Sequence, residues 1–154
     1  MDFRFATEQD TAKILFFIKE LAEYEKMSDL VVATEEDIRR ELFDKKCAEV
    51  IFALDSNGEE VGFALFFTTF STFLGKSGIH LEDLYVLPSR RGEGFGKGLI
   101  IKLSEICRER NCGRLEWTCL DWNTPSLKFY KSLGAEIMDD WVLLRLSGKG
   151  LAEL

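Results

Sequence analysis

Residues 88–98 read PSRRGEGFGKG, and this stretch carries the strongest structural signal in the 154-residue chain. A strand-like apolar run precedes it, and Leu99 and Leu103 begin a helical apolar pattern after it. Glycines allow a tight turn and a close approach of backbone to ligand, and free N–H groups at a helix start bind anions. The stretch therefore predicts a strand–turn–helix unit that binds a phosphate or pyrophosphate group. Three cationic side chains belong to it: Arg90, Arg91 and Lys97.

Two well-known phosphate-binding motifs do not fit this stretch. A P-loop requires Ser or Thr after Gly-Lys, and Gly98 stands at that position. A dinucleotide fingerprint requires Gly-x-Gly-x-x-Gly, and its third glycine is missing whether the pattern starts at Gly92 or at Gly94. The phosphate group must therefore belong to another class of ligand.

The charge balance excludes one class of partner. Lys and Arg number 20 and Asp and Glu number 27, which gives a net charge of −7. Nucleic-acid binding requires a basic face, so we expect no nucleic-acid partner. No signal-peptide pattern opens the chain, and no apolar run approaches the ~20 residues that span a bilayer. We expect a cytoplasmic protein that does not enter a membrane.

The cysteines and the single histidine, His80, argue against metal chemistry. No Cys-x-x-Cys spacing occurs, so a zinc site is not supported and we expect no metal. In a reducing compartment the cysteines are expected to be unpaired and to act as small core residues. They are Cys47, Cys107, Cys112 and Cys119.

Hydrophobic spacing along the chain predicts an α/β domain that comprises residues 1–154. The predicted strands lie near residues 2–5, 50–54, 60–70, 78–87, 115–119, 135–138 and 141–146. The first predicted helix ends near Tyr24, and three further predicted helices cover about residues 34–42, 94–111 and 123–134. Asn57-Gly58 is a strong hairpin signal and pairs the second strand with the third. This order implies a mixed sheet with helices on both faces.

Four blocks of sequence carry a resemblance to a known family. Residues 91–96, RGEGFG, fit the acyl-CoA pattern Arg/Gln-x-x-Gly-x-Gly/Ala. The other blocks are residues 18–25 (IKELAEYE), residues 81–86 (LEDLYV), and residues 123–135, which begin NTPS and contain FYK. The chain resembles the GNAT superfamily of N-acetyltransferases, closest to its spermidine/spermine and thialysine acetyltransferase branch.

This resemblance implies a fold and an activity. The GNAT fold is a mixed, mostly antiparallel sheet of about seven strands, splayed at its centre, with about four helices on both faces. The implied reaction moves the acetyl group of acetyl-CoA to a primary amine by direct attack in a ternary complex. The implied substrate is a polyamine, a diamine or a lysine-like amino acid such as thialysine. The family also implies a homodimer.

The resemblance further implies residues that hold the coenzyme. The backbone of Leu84, Tyr85 and Val86 would bind the pantetheine arm, although Leu84 and Val86 also fit plain core positions. Asn123 would contact the same region and also fits a helix N-cap. Pro125 and Ser126, which follow it, would also contact the coenzyme. The pyrophosphate would be held by Arg91, Gly92, Glu93, Gly94, Phe95, Gly96 and Lys97.

Two residues are implied as catalytic. Tyr130 would act as the acid that protonates the departing thiolate; the alternative is a core tyrosine. Glu82 would act as the base or would anchor the substrate ammonium; the alternative is a partner for Lys or Arg. Asp83 follows Glu82, and strand alternation predicts that only one of the two faces the site.

The resemblance also implies that Tyr24 and Glu25 contact the amine, and further acidic and aromatic residues extend this pair into a predicted amine-binding wall. It comprises Tyr24, Glu25, Glu82, Glu116, Trp117 and Thr118, with Asp121, Asp139 and Asp140 as additional acids. Acidic and aromatic side chains attract a flexible cation, but solvated surface acids give the same pattern. Two other functions remain open at this point: a peptide or protein N-acetyltransferase, and a CoA-binding module without catalysis.

Overall fold

The computed structural model describes residues 1–154 and divides them into two units, Met1–Thr118 and Cys119–Leu154. The first unit contains β1 (Asp2–Phe5), α1 (Thr11–Tyr24), α2 (Glu35–Ile38), β2 (Glu49–Leu54), β3 (Glu60–Ser71), β4 (Lys76–Val86), α3 (Phe95–Glu109) and β5 (Leu115–Trp117). The second unit contains α4 (Thr124–Ser132) and α5 (Gly148–Ala152).

The five strands form one sheet in the order β1-β2-β3-β4-β5. The pairs β1–β2, β2–β3 and β3–β4 are antiparallel, and the pair β4–β5 is parallel. The predicted mixed, mostly antiparallel sheet is confirmed, with five strands in place of about seven.

The Asn57-Gly58 turn joins β2 to β3, as its sequence predicts. Asp55 organises the turn: its carboxylate accepts the N–H groups of Asn57 (2.8 Å) and Glu59 (3.1 Å). The Asp55 backbone N–H also donates to the Glu59 carbonyl (3.0 Å). This turn sets the register in which Phe52 pairs with Phe63.

Each face of the sheet packs against a different helix. On one face, Phe63 and Tyr85 share a core with the buried residues of α1, where the Phe17 ring stacks on the Phe63 ring with centroids 5.2 Å apart. On the other face, Phe66 lies beneath the guanidinium of Arg110, just beyond α3. The α3 residues that are buried are Phe95, Leu99, Ile100, Leu103, Ile106 and Cys107.

A β-bulge interrupts β4 at Glu82. Leu65 pairs with Asp83 but its neighbour Phe66 pairs with Leu81, so Glu82 has no partner on β3. Leu65 belongs to the α1 core and Phe66 faces the α3 side, as residues that alternate along a strand must. Asp83 therefore lies on the α1 face and Leu81 on the α3 face, although they are two residues apart.

The second unit differs most from the sequence prediction. The strands predicted near residues 135–138 and 141–146 are wrong: both segments lack strand structure. A strand requires a neighbour that completes its hydrogen-bond ladder, and no ladder reaches these residues. Five large apolar side chains in the second segment are more than half exposed: Trp141, Val142, Leu143, Leu144 and Leu146.

Two smaller predictions also need correction. The helix predicted over residues 34–42 is α helical only at Glu35–Ile38 and continues as a π-helical turn at Arg39–Asp44. Among the four free cysteines only Cys107 is buried, and Cys47 is exposed. No helix combines the length and the apolar character that crossing a membrane requires.

Candidate active site

The glycine-rich turn leaves N–H groups free at the start of α3. Gly92 (φ +83°) and Gly94 (φ +89°) adopt left-handed conformations that favour glycine. The first helical hydrogen bond is donated by the Gly98 N–H to the Gly94 carbonyl (2.9 Å), so the N–H groups of Phe95–Lys97 point out of the helix end. A Cβ at Gly92 would meet nothing within 4 Å, and one at Gly94 only the Met1 side chain. This open, donor-lined space fits the diphosphate of coenzyme A.

Arg90 does not offer its charge to this anion site. Its guanidinium donates to Asp55 Oδ2 (2.7 Å) and to both carboxylate oxygens of Glu93 (3.0 Å each). The guanidinium also lies over the Phe95 ring, 5.3 Å from its centroid. Arg90 therefore ties the glycine-rich turn to the β2–β3 hairpin, and it lowers the pKa values of Asp55 and Glu93.

Arg91 joins the end of the turn to α1. Its Nε donates to the Val86 carbonyl (3.1 Å). Its guanidinium lies over the rings of Tyr24 (4.9 Å) and Tyr85 (5.2 Å), whose centroids are 6.5 Å apart. Arg91 therefore links the predicted coenzyme site to the predicted amine site through two cation–π contacts.

The β4 bulge brings both neighbouring carboxylates, Glu82 and Asp83, to the α1 face. His80 stacks on Phe67 with ring centroids 5.0 Å apart, and its Nε2 lies 3.6 Å from Glu82 Oε2. Phe67 lies two residues beyond Leu65 on β3, so the two side chains share the α1 face of the sheet. His80 stacks on Phe67 and therefore lies on that face too. The Glu82 carboxylate, which is next to His80, joins Asp83 there. The expectation that only one of the two acids faces the site is therefore wrong, because the bulge breaks the alternation.

These two acids form one cluster with Glu25. Burial raises the pKa of Asp83 to about 6, and the negative charges of Glu82 and Glu25 add to this effect. Burial also raises the pKa of Glu25. Three neighbouring carboxylates attract a cation. The cluster lies beside the aromatic pair of Tyr24 and Tyr85.

The same strand has an open edge next to the cluster. β5 pairs with β4 only from Ile79 to Leu81. Beyond that point the Leu87 N–H donates to the Val61 carbonyl (2.9 Å), so Leu87 turns its backbone groups toward β3. Successive residues of a strand turn these groups to opposite sides, so the N–H and C=O groups of Leu84 and Val86 point away from β3. Those of Tyr85 face β3. An extended ligand can therefore add along β4 as an extra strand at Leu84 and at the Val86 N–H, since the Val86 carbonyl already accepts from Arg91 Nε.

The other predicted residues of the first unit lie on or just after β5. Glu116 is half-buried and its Oε1 accepts from Arg114 Nε (2.7 Å), so its charge is partly neutralised. Trp117 is half-buried and Thr118 is exposed. These three residues remain predicted amine contacts.

The second unit holds the remaining predicted residues. Asn123 is buried, and its side-chain oxygen caps α4 by accepting the Ser126 N–H (3.4 Å); Pro125 lies in the first turn. The N-cap reading of Asn123 is therefore confirmed. Tyr130 lies on α4 and is half-buried, with its ring 5.2 Å from the Phe129 ring.

Sequence reasoning missed two features of the site. The paired role of Asp83 depends on the bulge, which no local pattern marks. The Arg90–Asp55 contact joins residues 35 positions apart. A sequence signal exists for the second feature: Asp55 starts the Asn-Gly turn, where a carboxylate commonly binds turn N–H groups.

A mostly antiparallel sheet whose fourth strand is bulged, followed by a glycine-rich helix start, is typical of an acyltransferase fold. The sequence model of the acetyltransferase (GNAT) family matches residues 16–135, and the chain belongs to this family. It is an acetyltransferase.

Relatives and solved structures resemble the chain over nearly its whole length. The thialysine N-epsilon-acetyltransferase of Bos taurus is 38% identical, with 98% of this chain and 95% of that protein covered. The spermidine/spermine N(1)-acetyltransferase-like protein 1 of Homo sapiens is 32% identical over 98% of this chain, but only 23% of that protein is covered. The structure of an integron cassette protein from the mobile metagenome of V. cholerae matches with a TM-score of 0.83 and 28% identity. The match covers 99% of this chain and 95% of that chain.

Proposed function

We propose that this acetyltransferase transfers the acetyl group of acetyl-CoA to a primary amine of a small, lysine-like amino acid, diamine or polyamine. One observation carries the proposal: the β4 bulge brings Glu82 and Asp83 together near Glu25 of the α1 end, beside two tyrosine rings. The thialysine and spermidine/spermine acetyltransferase names of the relatives agree with this substrate class.

The acidic cluster orients the amine and takes its proton. A lysine-like amine has a pKa of about 10 and reaches the site as an ammonium ion, so it must lose a proton before it attacks. Glu82 is the more exposed acid and receives the cation, directly or through water. Asp83, whose pKa is raised to about 6, is a second base in the same cluster, and a base near neutrality suits proton abstraction at physiological pH.

Backbone groups hold the coenzyme. When bound, acetyl-CoA supplies an activated thioester. The free N–H groups from Gly92 to Lys97 bind its diphosphate, and Lys97 adds a positive charge. The open edge at Leu84 and the Val86 N–H takes the pantetheine arm, and the resemblance to the family supports Asn123, Pro125 and Ser126 as further contacts of the coenzyme. Tyr130 donates a proton to the departing thiolate, a role supported by the resemblance of residues 123–135 to the family block.

We propose that the two units form a single acetyltransferase domain and that two chains form a homodimer. The family match at residues 16–135 includes parts of both units. Five apolar side chains within residues 141–146 are more than half exposed, and a second copy of the chain can pair with this segment and bury them. Light scattering should report a dimer, and Leu144→Lys should yield monomer. Val32→Lys, at another exposed apolar residue, should leave the dimer intact.

We also propose that the enzyme works in the cytoplasm. The four cysteines form no disulfide, and this supports a reducing compartment.

An amine panel tests the function. Thiol release from acetyl-CoA is followed with thialysine, lysine, ornithine, spermidine and a lysine-containing peptide. The proposal expects release with one or more of the free amines and little with the peptide. Selective release with the peptide would favour a protein acetyltransferase. Binding of acetyl-CoA without release for any amine would favour a CoA-binding module.

A further inference from the structure

The C-terminal end of α3 places two thiols together. Asn111, just beyond the helix, is left-handed (φ +53°). The Cys112 N–H donates to the Cys107 carbonyl (2.8 Å), and the Asn111 N–H donates to the Arg108 carbonyl (3.1 Å). These two hydrogen bonds define a Schellman motif, in which the side chains at the positions of Cys107 and Cys112 come into contact. The Cys112 side chain is near enough to contribute to the raised pKa of the Cys107 thiol.

The two thiols differ in how easily a reagent reaches them. Cys112 is partly exposed, and its sulfur lies 3.5 Å from the Ser77 hydroxyl. Cys107 is 8% exposed, and its Sγ lies 3.9 Å from the Arg114 carbonyl. Burial raises the pKa of Cys107 to about 11, and the nearby Cys112 adds to this rise. An oxidant therefore reacts with Cys112 first, while the less accessible Cys107 remains a protonated thiol.

We propose that Cys107 and Cys112 form a reversible dithiol–disulfide pair whose oxidant is a hydroperoxide. The Cys112 sulfur attacks one peroxide oxygen, which forms an S–O bond, breaks the O–O bond and, with hydrogen peroxide, releases water. The Cys107 sulfur then attacks the Cys112 sulfur, which forms the S–S bond, breaks the S–O bond and releases a second water. Two thiols are oxidised, one peroxide is reduced, and both thiol protons leave in the waters.

The other two cysteines lack this arrangement. Cys47 is exposed in the segment before β2, and Cys119 lies in the second unit, where its Sγ is 3.6 Å from the Leu120 carbonyl. The proposal therefore names one pair. It does not depend on the proposed substrate or on the binding of acetyl-CoA.

Peroxide treatment of the full chain tests the pair. The folded protein receives a few equivalents of hydrogen peroxide, free thiols are alkylated, and intact mass and peptide maps are recorded. We expect titratable thiols to fall from four to two, a mass loss of about 2 Da before alkylation, and a Cys107–Cys112 cross-link that dithiothreitol reverses.

Variants identify the sulfurs involved. Cys112→Ser, at a partly exposed position, should retain native circular dichroism and give no intramolecular cross-link. Cys119→Ser is the matched control and should form the cross-link as the unmodified chain does. A Cys112 sulfinic acid with Cys107 still reduced, or a first disulfide that involves Cys47 or Cys119, would overturn the proposal. The peptide map of the unmodified chain alone decides this if a variant fails to fold.

Discussion

Arg90 Nη1 donates to Asp55 Oδ2 over 2.7 Å, and this contact fixes the glycine-rich turn to the β2–β3 hairpin. The Asp55 side chain is 8% exposed and the Arg90 side chain 28% exposed, so the carboxylate end of the pair is the one shielded from water. Each member of the pair also bonds polar groups of its own turn. Arg90 donates to Glu93, and Asp55 accepts from the N–H groups of Asn57 and Glu59. The contact therefore positions the anion site without touching the anion.

Arg90→Gln should weaken the binding of acetyl-CoA. We expect the KM for acetyl-CoA to rise about tenfold, equivalent to ~1.4 kcal/mol, with kcat nearly unchanged, because only the pre-organisation of the turn is lost. Steady-state kinetics measure both constants. Arg108→Gln, at an exposed position of α3, is the control and should leave the KM unchanged. A fall in kcat at an unchanged KM would show that Arg90 acts elsewhere.

Gly94→Val should also weaken coenzyme binding. A β-branched residue at φ +89° is strained, and its side chain would fill the open space where backbone N–H groups meet the diphosphate. Calorimetric titration with coenzyme A should give a Kd raised by about tenfold or more. Gly75→Val imposes a similar strain at φ +62° on the β3–β4 turn, with nothing nearby, and should bind coenzyme A normally. Normal affinity in a folded Gly94→Val protein would remove the anion site from this turn.

Tyr130→Phe should slow acetyl transfer and leave coenzyme binding nearly normal. Loss of a proton donor to the thiolate costs about 10- to 1000-fold in kcat, because the leaving group then departs without general-acid assistance. Stopped-flow thiol release and direct titration with acetyl-CoA separate the two effects. If thiol release keeps its normal rate, Tyr130 is not the acid.

Asp83→Asn should change how stability depends on pH. The raised pKa means that the folded protein holds this proton at pH values where the unfolded chain releases it. The contribution of Asp83 to stability is thus full below pH 3.8 and falls as the pH rises to about 6. Relative to the unmodified chain, Asp83→Asn should gain up to ~3 kcal/mol in free energy of unfolding between pH 4 and pH 7.

Urea denaturation at several pH values measures this difference. Asp29→Asn, at an exposed aspartate, is the matched control and should show no such gain. A difference between Asp83→Asn and the unmodified chain that stays constant from pH 4 to pH 7 would contradict the assignment. The same variant should lose activity, because the cluster that attracts the ammonium loses a charge.

Local sequence signals predicted the fold where local chemistry decides it. The Asn57-Gly58 turn, the amphipathic pattern of α3 and the strand–turn–helix unit of the glycine-rich stretch each depend on neighbouring residues, and these three structural predictions are confirmed. The binding of a diphosphate by that stretch stays a prediction. The family and the fold class followed from the spacing of four such blocks.

Features that depend on distant partners were not predictable in this way. The segment 141–146 has the composition of a buried strand, but a strand also requires a neighbour, which the sequence does not name. No residue pattern marks the bulge at Glu82, because the bulge arises from the register in which β4 pairs with β3. The Arg90–Asp55 contact depends on where two turns meet in space.

The extra residue at position 82 makes β4 unequally tolerant of changes in its length. Deleting Glu82 would heal the ladder and leave the other pairings in place, because Leu65 already pairs with Asp83 and Phe66 with Leu81. A deletion of one residue elsewhere in β4 would instead turn the residues on one side of it to the opposite face of the sheet. Recombination between homologous enzymes should therefore tolerate a single-codon deletion at position 82 better than at neighbouring positions of this strand.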